Sequence, residues 1–291
     1  LMRSSAASDV YKRQDTTFEL PRKLVESINT ALLDTNPVFK VFHVTNVGAL
    51  LVSRSFDSSD EAKVHKDGEQ KVEQSATLTI DALEPVMVYK LQSIAERVKR
   101  LQMSYSELYN LIVAELTQAI VNKIVDLALV EGDGTNGFKS VMLETDTKKI
   151  KKITTEAPAT GTAPLADAIE EAVDFVRTTA GRRYLIVTAT QRKTLLDELR
   201  GLPANAHVRI KNDDTEIATE VGVDEIIVYT GSKALSPIVL VDQKYHIDMQ
   251  DLTKVDAFEW QTNSNKILVE TLSSGHTETL KAGAVITVTA G

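Results

Sequence analysis

The chain has 291 residues, 43% hydrophobic and 25% charged, a formal net charge of −8, 5% aromatics and no cysteine. That composition supports a packed core of domain size. The acidic balance opposes a phosphate backbone, the scarcity of aromatic rings argues against a base-stacking platform, and the missing thiols exclude disulfides and thiolate chemistry.

Residues 1–14, LMRSSAASDVYKRQ, carry no pattern that continues into the rest of the chain and are expected to be an extraneous leader outside the fold. Nothing there has the apolar core of a secretory signal, and no run in the chain is apolar and long enough to span a membrane. Residues 15–46 hold a short amphipathic piece, Leu20 to Leu33, which Asn36-Pro37 ends. This is the pattern of an arm leading into something else.

Residues 47–90 predict a long β-hairpin. Val47 to Phe56 is rich in extended-chain residues. In the return arm, Ser75 to Leu91, Leu78, Ile80 and Ala82 alternate with Thr77, Thr79 and Asp81. Between the arms lies a charged tip with Asp60, Glu61, Lys63, Lys66, Asp67, Glu69 and Lys71. An arm of about fifteen residues at roughly 3.3 Å each reaches about 50 Å, more than the radius of a domain of this size. Such a hairpin projects. Because an isolated hairpin is marginal in water, it needs a partner surface, most simply on a neighbouring copy.

The clearest helix is expected over residues 104–130. Ser104-Tyr-Ser-Glu107 forms a capping box. Leu108, Leu111, Ile112, Leu116, Ala119, Ile120, Ile124 and Leu127 make one broad apolar face, so this spine of about 40 Å should be covered along most of its length.

The spine stops in LVEGDGTNGFK (129–139), where Gly132, Gly134 and Gly137 match the G-x-G-x-x-G spacing of a dinucleotide loop. The context is reversed, because these glycines come after a helix, and phosphate would meet the wrong end of its dipole. A calcium loop starting at Glu131 fails as well, with Asn136 standing where glycine is required. The remaining reading is a helix-terminating turn of Gly132, Asp133, Gly134 and Gly137, with Gly132 as the left-handed cap.

Residues 145–164, rich in Thr, Pro and Gly, suggest a boundary between subdomains. The lysines at 148, 149, 151 and 152 fit a lysine-protected strand edge better than a nucleic-acid contact. Residues 165–245 have an α/β pattern: helices over 165–179 and 190–199, and strands over 184–187, 225–229 and 238–241. Residues 246–291 return to extended structure, with strands over 266–270 and 284–288.

The histidines, at 43, 65, 207, 246 and 276, show no metal-ligand spacing. His246 and Asp248 share one strand face, which is expected to be structural. Neither a nucleophile elbow nor a P-loop is present. No metal and no cofactor is expected.

The order of features is itself informative: an arm, a long hairpin with a charged tip, a spine helix ending in Gly132-Asp133-Gly134, an α/β subdomain and closing strands. In this order, with AKVHKDGEQKVEQ (62–74), Phe138-Lys139-Ser140, IVLVDQKY (238–245) and KILVETLSSGHTETLKAGAVITV (266–288), the chain resembles the major capsid protein of tailed phages over residues 15–291. That family has the Hong Kong 97-like capsid fold, which encapsulin shells share.

The resemblance implies an α+β subunit. Its expected parts are an N-terminal arm (15–46), an extended loop (47–90), a peripheral domain (91–155 and 246–276) and an axial domain (156–245 and 277–291). It implies a structural protein, not an enzyme, that self-assembles as hexamers and pentamers into the icosahedral head shell of the virion, put together in the host cytoplasm around a DNA genome. Scaffold, portal and decoration proteins are the implied partners. Contact with packaged DNA would be non-specific, and no membrane is involved. The charged tip residues would contact a neighbouring subunit. Some members crosslink a loop lysine to an asparagine of a neighbour; here Lys63, Lys66 and Lys71 and Asn263 and Asn265 have the required types, but such residues are common in polar loops. An encapsulin-type compartment is the alternative within the fold. A nucleotide-binding enzyme using residues 132–137 is the alternative outside it.

Overall fold

A computed structural model describes residues 36–46, 51–57, 77–95, 105–157, 162–202, 210–261 and 264–289. The capping box at Ser104, the charged hairpin tip and the amphipathic piece 20–33 lie outside these residues.

The described chain enters through a short 3-10 helix, Pro37–Val41. The side chain of Asn36 caps it, accepting from Val38 N, and Pro37 supplies the first helical position. Val38, Phe39 and Val41 are buried, so this part of the expected arm belongs to the core. Strand β1 (His43–Thr45) comes next and pairs parallel to β9 (Tyr245–Met249). After it, β2 (Leu51–Asp57) and β3 (Thr77–Leu83) form an antiparallel two-stranded sheet in register from Leu51↔Leu83 to Asp57↔Thr77. The return arm is not one continuous strand. It breaks at Glu84-Pro85, as a proline does to a ladder, and resumes as β4 (Val86–Ala95).

The long strand β11 (Ser264–Thr277) organises the peripheral sheet. Ser273 pairs with both Val86 and Met249, so β4 runs along one edge of β11 and β9 along the other. Beyond β9 that second edge is taken by β10 (Thr253–Glu259). Across one face of this sheet lies the spine, α1 (Tyr105–Asp126), which widens into a π-turn at Leu127–Glu131. Val113, Leu116, Ile120 and Ile124 of the helix share a core with Val88, Ile94, Ile267 and Val269 of the sheet. Coverage is less complete than the apolar pattern predicts. Burial is continuous only from Ile124 to Leu129, and Leu111 near the other end is 59% exposed.

The axial sheet has the order β5-β12-β8-β6-β7, from β5 (Ile150–Glu156), β6 (Arg183–Val187), β7 (Glu225–Val228), β8 (Ile238–Val241) and β12 (Gly283–Thr289). Helices α2 (Pro164–Val176), α3 (Ala189–Gly201) and α4 (Asp214–Glu220) belong to this half. Leu185, Val187, Val239 and Val241 meet their apolar residues in one core, while Tyr184, Ile186, Ile238 and Leu240 join the core that contains the spine.

Three boundaries therefore differ from those expected. Residues 150–155 leave the peripheral domain, because β5 pairs parallel to β12 from Ile150↔Gly283 to Glu156↔Thr289. Residues 86–90 leave the extended loop for β4, and 43–45 leave the arm for the peripheral sheet. β5 is an edge strand, where lysine and threonine are favoured, and it takes up the lysine-protected strand edge expected at 148–152.

Candidate functional site

The glycine segment after the spine is the first place to test for chemistry. Gly132 is not left-handed, as the sequence suggests, but extended, with φ −65° and ψ 111°. Glycine is required there by close approach: an added Cβ would lie 2.6 Å from both Leu127 O and Phe138 O. The left-handed residues are Gly134 (φ 91°) and Gly137 (φ 73°). They turn the chain back so that Phe138, fully buried, forms a bridge to Gly275, where an added Cβ would lie 2.9 Å from the phenyl ring.

The backbone donors of this loop are spent internally. Gly132 N donates to Leu127 O, Gly134 N to Phe138 O and Lys139 N to Gly275 O, all within 2.8–2.9 Å. Asp133 Oδ1 accepts from the backbone and hydroxyl of Thr135 at 2.9 and 2.7 Å, and those bonds hold its carboxyl below the usual range. A phosphate would meet the Asp133 carboxylate here and amides of Gly132, Gly134, Thr135 and Lys139 already engaged within the fold, which disfavours the nucleotide-loop alternative. Among the described residues, no three His, Asp or Glu side chains converge on a metal position, and no helix is long and apolar enough to cross a membrane.

Polar groups join the two halves of the molecule just before this turn. Tyr229, at the end of β7, donates its hydroxyl to Asp126 of the spine. Burial raises the Asp126 carboxyl above its ordinary value, the Tyr229 bond opposes that rise, and Glu131 adds to it. Glu131 itself takes ion pairs from Lys123 and from Lys233 of the axial half. These bonds lower its pKa. The cluster joins the two halves.

The surface feature that stands out is the face of the peripheral sheet opposite the spine. Strand pairing sets Met87, Tyr89 and Leu91 of β4 beside Leu272, Glu270 and Leu268 of β11, and Leu268 beside Val255 of β10. Residues opposite one another across a ladder share a face. Met87 (57%), Tyr89 (65%), Leu91 (50%) and Val255 (46%) are exposed there, and Trp260, in the turn between β10 and β11, is 78% exposed. Contiguous exposed apolar side chains of this kind mark a surface meant for another macromolecule.

No family model matches the chain. Against curated proteins, it is 85% identical over 274 residues to the capsid protein of Lactococcus phage p2, covering 94% of this chain and 70% of that one; the match to the capsid protein of Lactococcus phage SK1 has the same extent. The chain belongs to the phage capsid protein family. Among solved structures, its fold is similar to Mycobacterium phage Bobi (TM-score 0.64, 13% identity, 88% of this chain and 91% of that one). It is also similar to the capsid of an empty GTA particle computed with C5 symmetry (TM-score 0.63, 9% identity, 88% and 90%) and to the satellite phage P4 procapsid including size determination (Sid) protein (TM-score 0.61, 9% identity, 95% and 94%).

The capsid protein thus has the Hong Kong 97-like α+β fold, a structural role and a place in the virion shell. The encapsulin alternative finds no support, since both curated relatives are phage capsid proteins. Of the residues singled out from the sequence, Asp60, Glu61, Lys63, Lys66, Asp67, Glu69, Lys71 and Asn263 lie outside the described residues. Asn265 is described and nearly buried in β11, between Phe258 and Ile94. The apolar face escaped sequence reasoning because β4 alternates only weakly: Lys90 and Gln92, on the spine side, are exposed as well.

Proposed function

We propose that many copies of this capsid protein, grouped as hexamers and pentamers, build the icosahedral head shell of a tailed phage around its DNA. The identity to two phage capsid proteins carries the reading, and the open apolar face of the peripheral sheet supports it. The role is geometric rather than catalytic. The axial half meets its equivalents around the capsomer axis. The peripheral half lies outward from that axis, and the extended loop of one subunit lies over the open face of the next. Asp60, Glu61, Lys63, Lys66, Asp67, Glu69 and Lys71 contact the neighbour from the loop tip. Gly132, Asp133, Gly134 and Gly137 terminate the spine. Scaffold and portal proteins guide assembly, decoration proteins bind the finished shell, and the acidic charge keeps contact with packaged DNA non-specific.

Electron microscopy of the purified protein tests this, with shells expected. A monomer at every concentration and salt, with saturable nucleotide binding, would overturn it. The shell has no covalent crosslink in this reading, so denaturing electrophoresis should give a single monomer band. A ladder would instead implicate Lys63, Lys66 or Lys71 with Asn263 or Asn265.

A further inference from the structure

Three histidines distant in sequence stand side by side on one face of the peripheral sheet. Register sets His43 of β1 opposite His246 of β9, and His246 opposite His276 of β11. The rings of His43 and His246 meet edge to face with centroids 4.7 Å apart, and those of His246 and His276 stack at 6.3 Å. The row runs inward from His43, exposed, through His246, partly buried, to His276, buried.

Two carboxylates face the row. Glu278, just past β11 and half exposed, places Oε2 3.6 Å from His246 Nδ1. Asp248, buried two residues along β9, accepts from Thr45 Oγ1 at 3.3 Å. Thr45 Oγ1 is also 2.9 Å from His246 Nε2. A hydroxyl has one proton to give. If Thr45 gives it to Asp248, His246 Nε2 is the N–H donor and Nδ1 is the nitrogen open to protonation, facing Glu278. Glu278 can therefore offset one positive charge. A second charge on the row meets an imidazolium at ring-contact distance, while Asp248 is already engaged by Thr45. On this face β11 continues from His276 through Ser274 and Leu272, both uncharged, before reaching Glu270.

We propose that this histidine row is an acid-sensitive latch on β1: a neutral His246, packed between His43 and His276, closes the seam between β1, β9 and β11, and charging His246 in mildly acidic solution releases β1. The release matters because β1 lies between the arm and the extended loop. It pairs with β9 over only three residues, His43, Val44 and Thr45. Letting go of β1 frees the base of both segments that the proposed shell uses to reach its neighbours, so this step rests on that reading. Burial and the neighbouring His43 hold His246 below its ordinary value of 6.5, with Glu278 and Asp248 pulling the other way. The folded seam then binds fewer protons than the open chain between that lowered value and 6.5. Its stability is complete above 6.5 and is lost as pH falls through the window.

Hydrogen exchange of the full-length, unassembled subunit tests the latch without depending on shell formation. After correction for intrinsic rates, protection at 43–45 should fall by about tenfold or more between about pH 7.5 and about pH 5, the range in which a histidine changes charge. Protection in β6 and β8 should hold. In His246→Gln, which cannot charge, protection at 43–45 should be the same at both pH values. Unchanged protection in the wild type, or an equal fall in the variant, overturns the latch. If His246→Gln does not fold, His43→Gln at the exposed end of the row is measured instead, and an undiminished fall there counts against the latch in the same way. Failure of shells to assemble, with the exchange result intact, would overturn the shell reading and leave the latch standing.

Discussion

The two sheets have five strands each but differ in how they are covered. In the axial sheet both faces are packed: Leu185 and Val187 of β6 point into the helices' core, and Tyr184 and Ile186 into the core shared with the spine. Its strands β6 and β8 are accordingly near-continuous apolar runs, YLIV and IVLV, as expected where both faces are buried. In the peripheral sheet the face away from the spine is packed only toward β9, where Ser274 and His276 are buried, while Met87, Tyr89, Leu91 and Val255 stay exposed on it. One half is completed within the subunit, and the other leaves part of one face open. Sheet coverage thus separates residues that hold the subunit together from residues left open at its surface.

The largest effect should come from Gly132→Val, where the two halves join. A valine Cβ there would press on two backbone carbonyls at 2.6 Å, and neither can yield without moving the end of the spine or Phe138. The expected cost exceeds about 4 kcal/mol, a range reserved for a few mechanisms such as this one. Soluble folded protein should be lost. Gly134→Ala is the control: nothing lies within 4 Å of its Cβ, and only the positive φ is penalised, at about 1–2 kcal/mol. Comparable melting temperatures for the two variants would show that close approach is not what the turn requires.

The comparison of the two sheets is sharpened by a matched pair. Leu185→Ala, fully buried in the axial sheet, should lower subunit stability by about 2–5 kcal/mol, the usual cost of emptying a leucine site. Tyr89→Asp with Leu91→Asp, on the open face, should shift the melting of the isolated subunit little, by about 0.5 kcal/mol per site, yet abolish shells seen by electron microscopy. Shells that form normally from the double variant would mean that the exposed face is not an assembly surface.

Much of this architecture could be read from the chain because local patterns agree with tertiary packing. The spine has a 3.6-residue apolar period and a glycine stop, and the buried axial strands are short apolar runs. Other features were hidden for physical reasons. The lysines of β5 mark a strand edge, but its partner β12 lies far along the chain, so its place in the axial sheet was not visible. The need for glycine at 132 comes partly from the carbonyl of Phe138, which only the returning chain brings near. The histidine row is assembled from β1, β9 and β11, so no spacing between positions 43, 246 and 276 announces it; His246 and Asp248 were visible on one strand face, but their neighbours were not. The same applies to the open apolar face, which is defined by the pairing of β4 with β11 rather than by either strand alone.

The smallest effect concerns the polar contact between the halves. Asp126 is buried and accepts from Tyr229. Burial, more than any other influence, raises its carboxyl above the ordinary 3.8. The folded chain therefore binds more protons than the unfolded one from 3.8 up to the raised value. By linkage, stability falls as pH rises through that window, and the cost stays in full above it. A side-chain amide in place of this carboxyl could not ionise but would still present an oxygen to the tyrosine. Asp126→Asn should then match or exceed the wild type at neutral pH, by on the order of 1 kcal/mol, and lose that advantage below the window. A pH series of melting temperatures on the isolated subunit measures this. If the variant is instead weaker at neutral pH, the carboxylate charge acts through Lys123 and Lys233 to hold the axial half against the spine. The seam would then be electrostatic where burial and the tyrosine bond make it a matter of packing.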